Sequence, residues 1–304
     1  MEPATSPDKE KPLQEVSLVE WLQNYSQRKL EKGQSDAYSK QINKTIKHIL
    51  AYRDDHIKLI DVDKSYCLGF IQYLKHTHLA VTTTACYFRC LSCALNAAEN
   101  EGMIPINPIG QISKDEKIKL PDNSRCYLTI NEIMTIIGTP CQNKEVKRAY
   151  LFSCMTGLRF SDIKNLKWEN LEREEGRWKA TIRIIKNQKI LCLPLSDEAM
   201  QWLPNRNDKQ DTHIFHLPSD PHVNAVLRKW VIQSGINKYI TFHTARHTYA
   251  TMLITLGADI YTVSKLLGHS QIKTTQVYAK IVDKKKDQAI SLIPHFSTNI
   301  EDNI

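Results

Sequence analysis

The alternation of apolar and polar positions becomes regular at Ser17. Ser17 and Glu20 have the spacing of a helix capping box, in which each side chain bonds the backbone N–H of the other residue. Leu18, Leu22 and Tyr25 then follow at three- and four-residue spacing, so they share one helical face. The pattern predicts an amphipathic helix that begins directly after Ser17.

Three further helices with one apolar face are predicted before the middle of the chain. In the first of them, Tyr38, Ile42, Ile46 and Ile49 recur at helical spacing. The three helices are expected at about 35–52, 64–76 and 82–102. Four amphipathic helices can bury their apolar faces against one another, so we expect a small helical bundle.

Helical patterns also dominate after Leu128, where Thr129 and Glu132 repeat the capping-box spacing. The exception is the stretch 178–195. Its two β-branched or apolar runs, 180–185 and 190–193, flank a short polar segment, which is typical of a β-hairpin. The predicted fold class is mainly α, with a small β-sheet or hairpin in the second half.

Polar stretches divide this pattern into domains. Residues 1–16 contain several prolines and no apolar period, which indicates a flexible leader. Residues 110–126 are polar and rich in lysine, the composition of an interdomain linker. We therefore expect a helical domain at 17–109, a second domain at 127–282 and a tail helix at 283–304.

Composition narrows the class of protein. The 304 residues are enough for two domains of ~150 residues, and 41% hydrophobic with 24% charged residues is ordinary for a globular protein. The net charge of +8 suits a polyanionic partner without requiring one. Neither a signal peptide nor a run of ~18 apolar residues is found, so we expect a cytosolic protein with reduced cysteines.

Three of the eight cysteines match a cofactor motif by spacing. Cys86, Cys90 and Cys93 form C-x3-C-x2-C, with which radical-SAM enzymes hold an iron–sulfur cluster. On a helix the same spacing places them on one face, where free cysteine acts as a small buried hydrophobe. Because helical patterns lie on both sides, the sequence favours buried thiols.

No cofactor is expected elsewhere in the chain. The acidic residues do not form a carboxylate cluster of the two-metal nuclease kind, and the histidines lack zinc-site spacing with cysteine. A glycine-rich phosphate loop is also missing, so the sequence does not indicate ATP.

Arg159 occupies a predicted break between two helices. Gly157 is placed to end the first helix, and Ser161 is placed to cap the next one. Taken alone, such an arginine is nearly as often a surface residue as a ligand for phosphate. Its interpretation depends on the motifs that follow.

Three further motifs lie downstream. His243 and Arg246 are three residues apart, which puts both side chains on the same side of a helical turn. His269 follows in Leu-Leu-Gly-His-Ser, and Tyr278 comes nine positions later. Each motif is short and common by itself, so only their order and spacing carry information.

In this order, and behind a helical bundle, these motifs resemble the tyrosine recombinase or phage integrase family. The resemblance covers most of the chain. It implies a two-domain DNA clamp, in which a helical core-binding domain holds one face of the DNA and an α+β breaking-rejoining catalytic domain holds the other. The family pattern of Arg, Lys, His-x-x-Arg, His and Tyr maps onto Arg159, Lys186, His243, Arg246, His269 and Tyr278.

Phosphodiester cleavage suits these residue types on chemical grounds. Attack on phosphorus builds negative charge on the non-bridging oxygens, which guanidinium groups such as Arg159 and Arg246 bind bidentately. His269 would add another donor. Tyr278 is the expected nucleophile, and its phenol, with an ordinary pKa of ~10, needs a cationic pocket. His243 would help deprotonate or orient it.

The resemblance also assigns a general acid. In the family, a lysine on a β-hairpin protonates the departing 5′-oxygen, and Lys186 matches it at eight positions before Pro194. Lys179 and Lys189 are close competitors. Asn-Gln follows Lys186 where a small or glycine-containing turn is usual, which leaves the choice among the three lysines open.

Two neighbouring polar residues are expected to support the site. Asp162 resembles the supporting carboxylate of the family, which orients active-site groups, and it also suits the first turn of a helix. His247 is expected to pack or cap beside Arg246 without reacting.

The resemblance implies a cofactor-independent, site-specific DNA recombinase with a 3′-phosphotyrosine intermediate. Expected partners are double-stranded DNA with inverted-repeat sites and further copies of the chain, which form a homotetramer around a Holliday junction. The protein is expected to be a monomer without DNA and to work in the bacterial cytoplasm at the nucleoid, not at a membrane. The Lys-rich stretch 283–293 suits a helix that docks on a neighbouring protomer or packs in cis. Inversion, excision and integration remain open.

Two alternatives share the same fold. A type IB topoisomerase uses the same covalent chemistry as a monomer, but the helical core-binding domain argues against it. A catalytically silent DNA-binding regulator would be favoured by the loss of a catalytic residue, and all six are present.

Overall fold

The computed structural model describes residues 16–53, 57–120, 125–186, 188–206 and 212–278. The chain divides into two compact units, with the boundary between Asn123 and Ser124. Most of the predicted leader and the whole predicted tail helix lie outside the described residues. No helix in the described ranges is long and apolar enough to cross a membrane.

The first unit contains the four predicted helices close to their expected positions. Ser17 caps the first helix, because its hydroxyl accepts a hydrogen bond from the Glu20 N–H at 3.1 Å. The helices are α1 (Leu18–Glu31), α2 (Asp36–Tyr52), α3 (Lys64–His76) and α4 (Val81–Asn100). The helical periodicity of this region is thus confirmed.

One aromatic and aliphatic core holds this bundle together. The indole Nε1 of Trp21 donates to the backbone oxygen of Ala94 at 2.9 Å, which fixes α1 against α4. Ile112 and Ile118 lie in the segment predicted as a linker, yet they pack against the same core. Burial of apolar side chains therefore continues beyond α4.

All eight cysteines lie in the described ranges, and none is paired in a disulfide there. Cys86, Cys90 and Cys93 lie inside α4. Cys90 is buried, and its burial raises its pKa to about 11. A thiol in this environment behaves as a packing residue, which agrees with the prediction.

The second unit is mostly helical and carries a three-stranded antiparallel sheet in the order β1-β2-β3. Its helices are α5 (Ile130–Gly138), α6 (Lys144–Thr156), α7 (Phe160–Lys164), α8 (Asp197–Met200), α9 (Asp220–Gln233), α10 (Phe242–Thr255) and α11 (Ile260–Leu266). Its strands are β1 (Leu171–Glu174), β2 (Arg177–Arg183) and β3 (Ile190–Leu195). The predicted fold class, mainly α with a small sheet, is confirmed.

The sheet extends the predicted hairpin by one strand. The hairpin itself, β2 with β3, pairs Thr181 opposite Cys192. The added strand β1 pairs Leu171 opposite Ala180, and only Leu171 of its four residues is even partly buried. A short polar edge strand lacks the β-branched alternation by which strands are recognised, so periodicity missed it.

Two helices form the centre of the second unit. Tyr150 of α6 is fully buried, and its ring packs edge-on against Trp230 and Phe242. Helix α10 packs along α6 and buries most of its positions, including Ala245 and Thr248. Side chains that project from such a buried helix are held in fixed positions, because interiors are close-packed.

Candidate active site

The break that carries Arg159 depends on a glycine. Helix α6 ends at Gly157, whose φ of +70° is left-handed. A Cβ at this position would also lie 2.5 Å from Tyr249 Cδ1 and 2.8 Å from Leu267 Cδ2. Glycine is therefore needed for both conformation and space. The next helix, α7, begins directly after Arg159, which takes the N-cap position with an extended backbone and without a side-chain cap hydrogen bond. The prediction that Ser161 caps this helix was therefore wrong, because Ser161 lies inside α7.

Arg159 points towards a buried carboxylate. Its Nη1 lies 3.8 Å from Asp162 Oδ2, which forms an ion pair but is too long for a hydrogen bond. The Asp162 side chain is 2% exposed. Both atoms are buried and lack a hydrogen-bond partner among the described residues. Buried polar atoms without partners are costly, so this corner retains donor capacity for an incoming anion.

Asp162 connects this corner to the hairpin. Its Oδ1 accepts the backbone N–H of Ile185 at 3.2 Å. The neighbouring Ile184 packs against Gly268, which directly precedes His269. A Cβ added at Gly268 would lie 2.7 Å from Ile184 Cδ1. Lys186 follows directly in the exposed turn between β2 and β3. The predicted supporting carboxylate thus holds the turn that bears the predicted general acid.

Two of the three lysines that the sequence left open have different surroundings. Lys179 is engaged by two carboxylates, with Nζ at 2.5 Å from Glu174 and 3.4 Å from Glu172. The hydrogen bond to Glu174 is the main reason why its pKa is raised. Lys186 instead lies close enough to His243 for its charge to lower the pKa of that imidazole.

Arg246 joins three parts of the chain. Its Nη1 donates to the backbone oxygen of Gly157 at 2.7 Å, and its Nη2 donates to that of Leu267 at 2.5 Å. The residue is 4% exposed. Burial, and then repulsion from Arg159, lowers its pKa to about 9. Arg246 therefore fixes the end of α6 and the end of α11 against α10.

His269 lies directly after α11 and is held by a buried hydroxyl. Its Nδ1 is 2.8 Å from Thr275 Oγ1, and Thr275 is fully buried. Burial, followed by the charges of Arg246 and Arg159, lowers the pKa of His269 to about 4. The imidazole is therefore neutral at physiological pH.

The first turns of α10 carry two histidines in contact. The rings of His243 and His247 meet edge-on, with centroids 4.8 Å apart. Partial desolvation and then the charge of Arg246 lower the pKa of His243, although its surface is more exposed than that of His247. For His247, burial and the nearby His243 and Arg125 lower the pKa to about 3.

Tyr278 is buried, and its hydroxyl contacts a histidine. It lies in a 3₁₀ turn (Gln276–Tyr278) and is 4% exposed. Its hydroxyl oxygen is 2.6 Å from Nδ1 of His247. Burial raises the pKa of the phenol, while the charges of Arg125 and Arg246 oppose that rise. The phenol is protonated at neutral pH and lies among cations.

The six residues predicted from the motifs thus converge in one region of the second unit, together with Asp162. Sequence missed two others. His247 was expected only to pack beside Arg246, and Arg125 was placed in a linker. The charge of Arg125 contributes to the lowered pKa of the three site histidines, and it opposes the rise that burial causes in the pKa of Tyr278. No local pattern links these residues, because the contacts join distant parts of the chain.

Comparison with known proteins agrees with this arrangement. The phage integrase family model matches residues 127–285, more than half of the chain, and the phage integrase SAM-like domain matches residues 17–116. A tyrosine recombinase of Thermosipho africanus is 30% identical over 69% of this chain and 75% of its own length. Tyrosine recombinase XerD of Staphylococcus aureus is 28% identical over 83% of this chain and 90% of its own length.

Solved structures show the same fold. The Tn1549 transposon integrase, in complex with a circular intermediate DNA, matches with a TM-score of 0.71 at 16% identity, over 90% of this chain and 99% of that one. The XerH recombinase bound to a palindromic difH substrate matches with a TM-score of 0.67 at 14% identity, over 94% and 98% of the two chains. With its motifs gathered into one site and both domain models matched in order, the chain belongs to the phage integrase family of tyrosine recombinases.

Proposed function

We propose that this chain recombines DNA at specific sites by covalent attachment of Tyr278 to a DNA phosphate. One observation carries the proposal. The phenol of Tyr278 contacts a neutral histidine in a pocket whose positive charges include Arg246. A phenol needs such surroundings to attack phosphorus at neutral pH. Relatives with 28–30% identity are named tyrosine recombinases, which supports the same chemistry.

The scissile phosphate would bind between Arg159, Arg246 and His269. Arg159 has a buried donor without a partner, and an open cavity of about 460 Å³ begins beside it and His243. Developing charge on the non-bridging oxygens would draw on these donors, each worth ~3–4 kcal/mol in favourable sites. His269 would donate from Nε2, since its Nδ1 is engaged by Thr275.

Cleavage would proceed by exchange of one ester for another. The phenolic O–H bond of Tyr278 breaks, its proton moves to a histidine of the site, and the oxygen bonds to phosphorus. The bond from phosphorus to the 5′-oxygen breaks, and Lys186 gives a proton to that oxygen. The product is a 3′-phosphotyrosine and a free 5′-hydroxyl. Attack by a 5′-hydroxyl from a partner strand reverses the step, so the reaction needs no ATP.

The partner would be double-stranded DNA that carries inverted-repeat sites, bound by four copies of the chain. Two solved structures support this assembly: a lambda integrase tetramer bound to a Holliday junction, and XerH on a palindromic substrate. Both are structural relatives at 20% identity or below. We place the protein in the bacterial cytoplasm at the nucleoid.

The two alternatives are less well supported. A topoisomerase of type IB would not call for a SAM-like integrase domain, which this chain matches at residues 17–116. A silent DNA-binding regulator would not need a nucleophile, cations and a hairpin lysine gathered in one region. A trapped covalent complex is expected from a recombinase or a topoisomerase, but not from a silent regulator. Strand exchange between two DNA sites then distinguishes a recombinase from a topoisomerase.

The test uses a DNA site selected by the purified full chain from a random-sequence pool. A duplex nicked close to the cleavage position loses its short 5′-hydroxyl fragment, so a covalent complex accumulates and migrates slowly on a denaturing gel. Wild type should be trapped, and Tyr278→Phe should not. Tyr261→Phe, which alters an exposed tyrosine, should be trapped as efficiently as wild type. Trapping of the Tyr278→Phe variant, or none of wild type, would overturn the proposal.

A further inference from the structure

The histidine that contacts the hydroxyl of Tyr278 is not the one that the motif suggests. The phenol oxygen lies 2.6 Å from Nδ1 of His247, and the two ring centroids are 5.8 Å apart. This distance lies within the normal range for a hydrogen bond donated by a hydroxyl. A proton acceptor in catalysis must lie within about 2.6–3.2 Å of the proton-bearing atom, and His247 meets that condition before DNA is bound.

We propose that His247 takes the proton of Tyr278 when its oxygen attacks the DNA phosphate, and that His243 serves the phosphate instead. The proposal rests on the proposed recombinase function and adds a catalytic residue to it. His247 would contact the reacting oxygen directly. It would therefore act on the nucleophile, not merely support Arg246.

The protonation state of His247 fits this role. Burial is the largest cause of its lowered pKa of about 3, so the ring is neutral and Nδ1 can accept when the proton sits on Nε2. The charged and titratable groups around it are Tyr278 and, in order of their effect on its pKa, His243, Arg125, Arg246 and His269.

The positive groups around His247 explain why its affinity for a proton would rise when DNA binds. A phosphate next to Arg246 and Arg125 offsets the positive charge that disfavours a protonated His247. Its affinity for a proton should therefore rise as the substrate enters. In the free protein the imidazole is a weak base, which keeps the buried phenol protonated.

His243 is placed differently, although it lies only one turn earlier on α10. It is exposed, and the charges of Arg159 and Lys186 reach it. It also lines the cavity beside Arg159. These contacts suit a donor to a phosphate oxygen. The two histidines touch edge-on at 4.8 Å, so a change in one can be compared with the same change in the other.

The proposed step balances. The O–H bond of Tyr278 breaks and its proton moves to Nδ1 of His247, while the oxygen forms a bond to phosphorus. The bond between phosphorus and the 5′-oxygen breaks, and that oxygen takes a proton from Lys186. Cleavage therefore leaves a protonated His247 and a neutral Lys186. Religation returns both protons, so no other reactant is consumed.

The experiment compares His247→Asn with His243→Asn in the full chain. The side-chain oxygen of asparagine can still accept the hydrogen bond at the position of Nδ1, but it does not take up a proton at neutral pH. Single-turnover formation of the covalent complex is measured on the nicked site from pH 6 to 9. Near pH 7, His247→Asn should be slower than wild type by about 10²–10³-fold, within the usual range for a lost general base.

The pH dependence distinguishes a base from a positioning residue. The ratio of the wild-type rate to the His247→Asn rate should fall by about tenfold per pH unit, because hydroxide replaces the missing base. The same ratio for His243→Asn should stay constant with pH. Dividing the wild-type rate by the variant rate cancels the effect of any titration that changes both rates equally.

Several results would overturn the proposal. These are a constant ratio for His247→Asn, a falling ratio for His243→Asn, or a His247→Asn variant as fast as wild type or faster. A faster variant would show that the hydrogen bond restrains the nucleophile. Non-covalent DNA binding and thermal unfolding check that the variant is folded, and His247→Gln replaces it if it is not. Failure of wild type to form the complex would instead defeat the proposed function.

Discussion

Two arginines of the site have opposite environments. Arg246 is almost fully buried and uses both terminal nitrogens on backbone oxygens at the ends of α6 and α11. Arg159 is partly exposed, and its Nη1 has no hydrogen-bond partner among the described residues. The motif treats the two as equivalent ligands for phosphate. Their surroundings give them different tasks.

The two arginines differ in how far folding already satisfies their hydrogen-bond donors. Arg246 makes hydrogen bonds that hold the ends of α6 and α11 against α10, so it stabilises the fold. Arg159, next to Asp162, keeps donor capacity that folding does not satisfy. Functional sites commonly hold such unsatisfied groups, which become satisfied when the ligand binds.

The largest effect is expected from Arg246→Lys. A lysine can reach at most one of the two carbonyl oxygens, and an unsatisfied buried acceptor costs ~1–3 kcal/mol. The free energy of unfolding should therefore fall by that amount, and covalent cleavage should fall by at least ~10²-fold. Urea denaturation and the nicked-site assay measure the two effects. Unchanged stability would show that Arg246 does not organise the site.

Arg159→Lys should affect the rate alone. It keeps the positive charge beside Asp162 but loses the bidentate geometry, so cleavage should slow by ~10²–10³-fold. Stability should change by no more than ~0.5 kcal/mol, because the Arg159 side chain donates no hydrogen bond to the described residues. If Arg159→Lys and Arg246→Lys lose equal stability, the contrast between the two arginines is wrong.

Lys186→Ala tests the hairpin that Asp162 connects to Arg159. Loss of a general acid should slow cleavage by ~10²-fold or more. A DNA with sulfur in place of the bridging 5′-oxygen has a leaving group that needs no proton, so this substrate should restore the rate of the variant. Lys179→Ala, which removes a lysine held by Glu174, should cleave both substrates like wild type. If Lys179→Ala is instead the variant that cleaves slowly and regains its rate on the sulfur-substituted DNA, the general acid is Lys179.

The smallest effect is expected from Thr275→Val, on the side of the site that Arg246 organises. The change is nearly isosteric and removes the hydroxyl that holds Nδ1 of His269. A hydrogen bond contributes ~0.5–1.5 kcal/mol, so cleavage should slow by at most ~tenfold. Single-turnover rates of Thr275→Val and His269→Ala should then differ clearly. Equal losses would show that His269 depends entirely on Thr275 for its position.

Local signals in the sequence were sufficient for most of the fold. The bonds of Ser17 with Glu20 and of Thr129 with Glu132 form within one helical turn, so their spacing predicts helix starts directly. The prediction that Ser161 caps α7 failed because the helix begins two residues earlier, where Arg159 is the N-cap residue and makes no side-chain cap hydrogen bond. Strand β1 was missed because its polar residues form a strand only through pairing with β2.

The order and spacing of six residues were also sufficient to indicate the family. Sequence could not decide which of two histidines contacts Tyr278, because His247 and Tyr278 are 31 residues apart. It could not find Arg125, whose charge acts on residues far along the chain.

The sequence by itself thus determined the helices, the hairpin, the family and the candidate residues, since these depend on short-range spacing. Only the tertiary structure brought these residues together. The end of α6, the hairpin, α10 and the turn after α11 meet through hydrogen bonds between distant residues, such as those from Arg246 to Gly157 and from Ile185 to Asp162. Burial and charge at that meeting point, not residue type, set which groups are neutral, which are satisfied and which remain available for DNA.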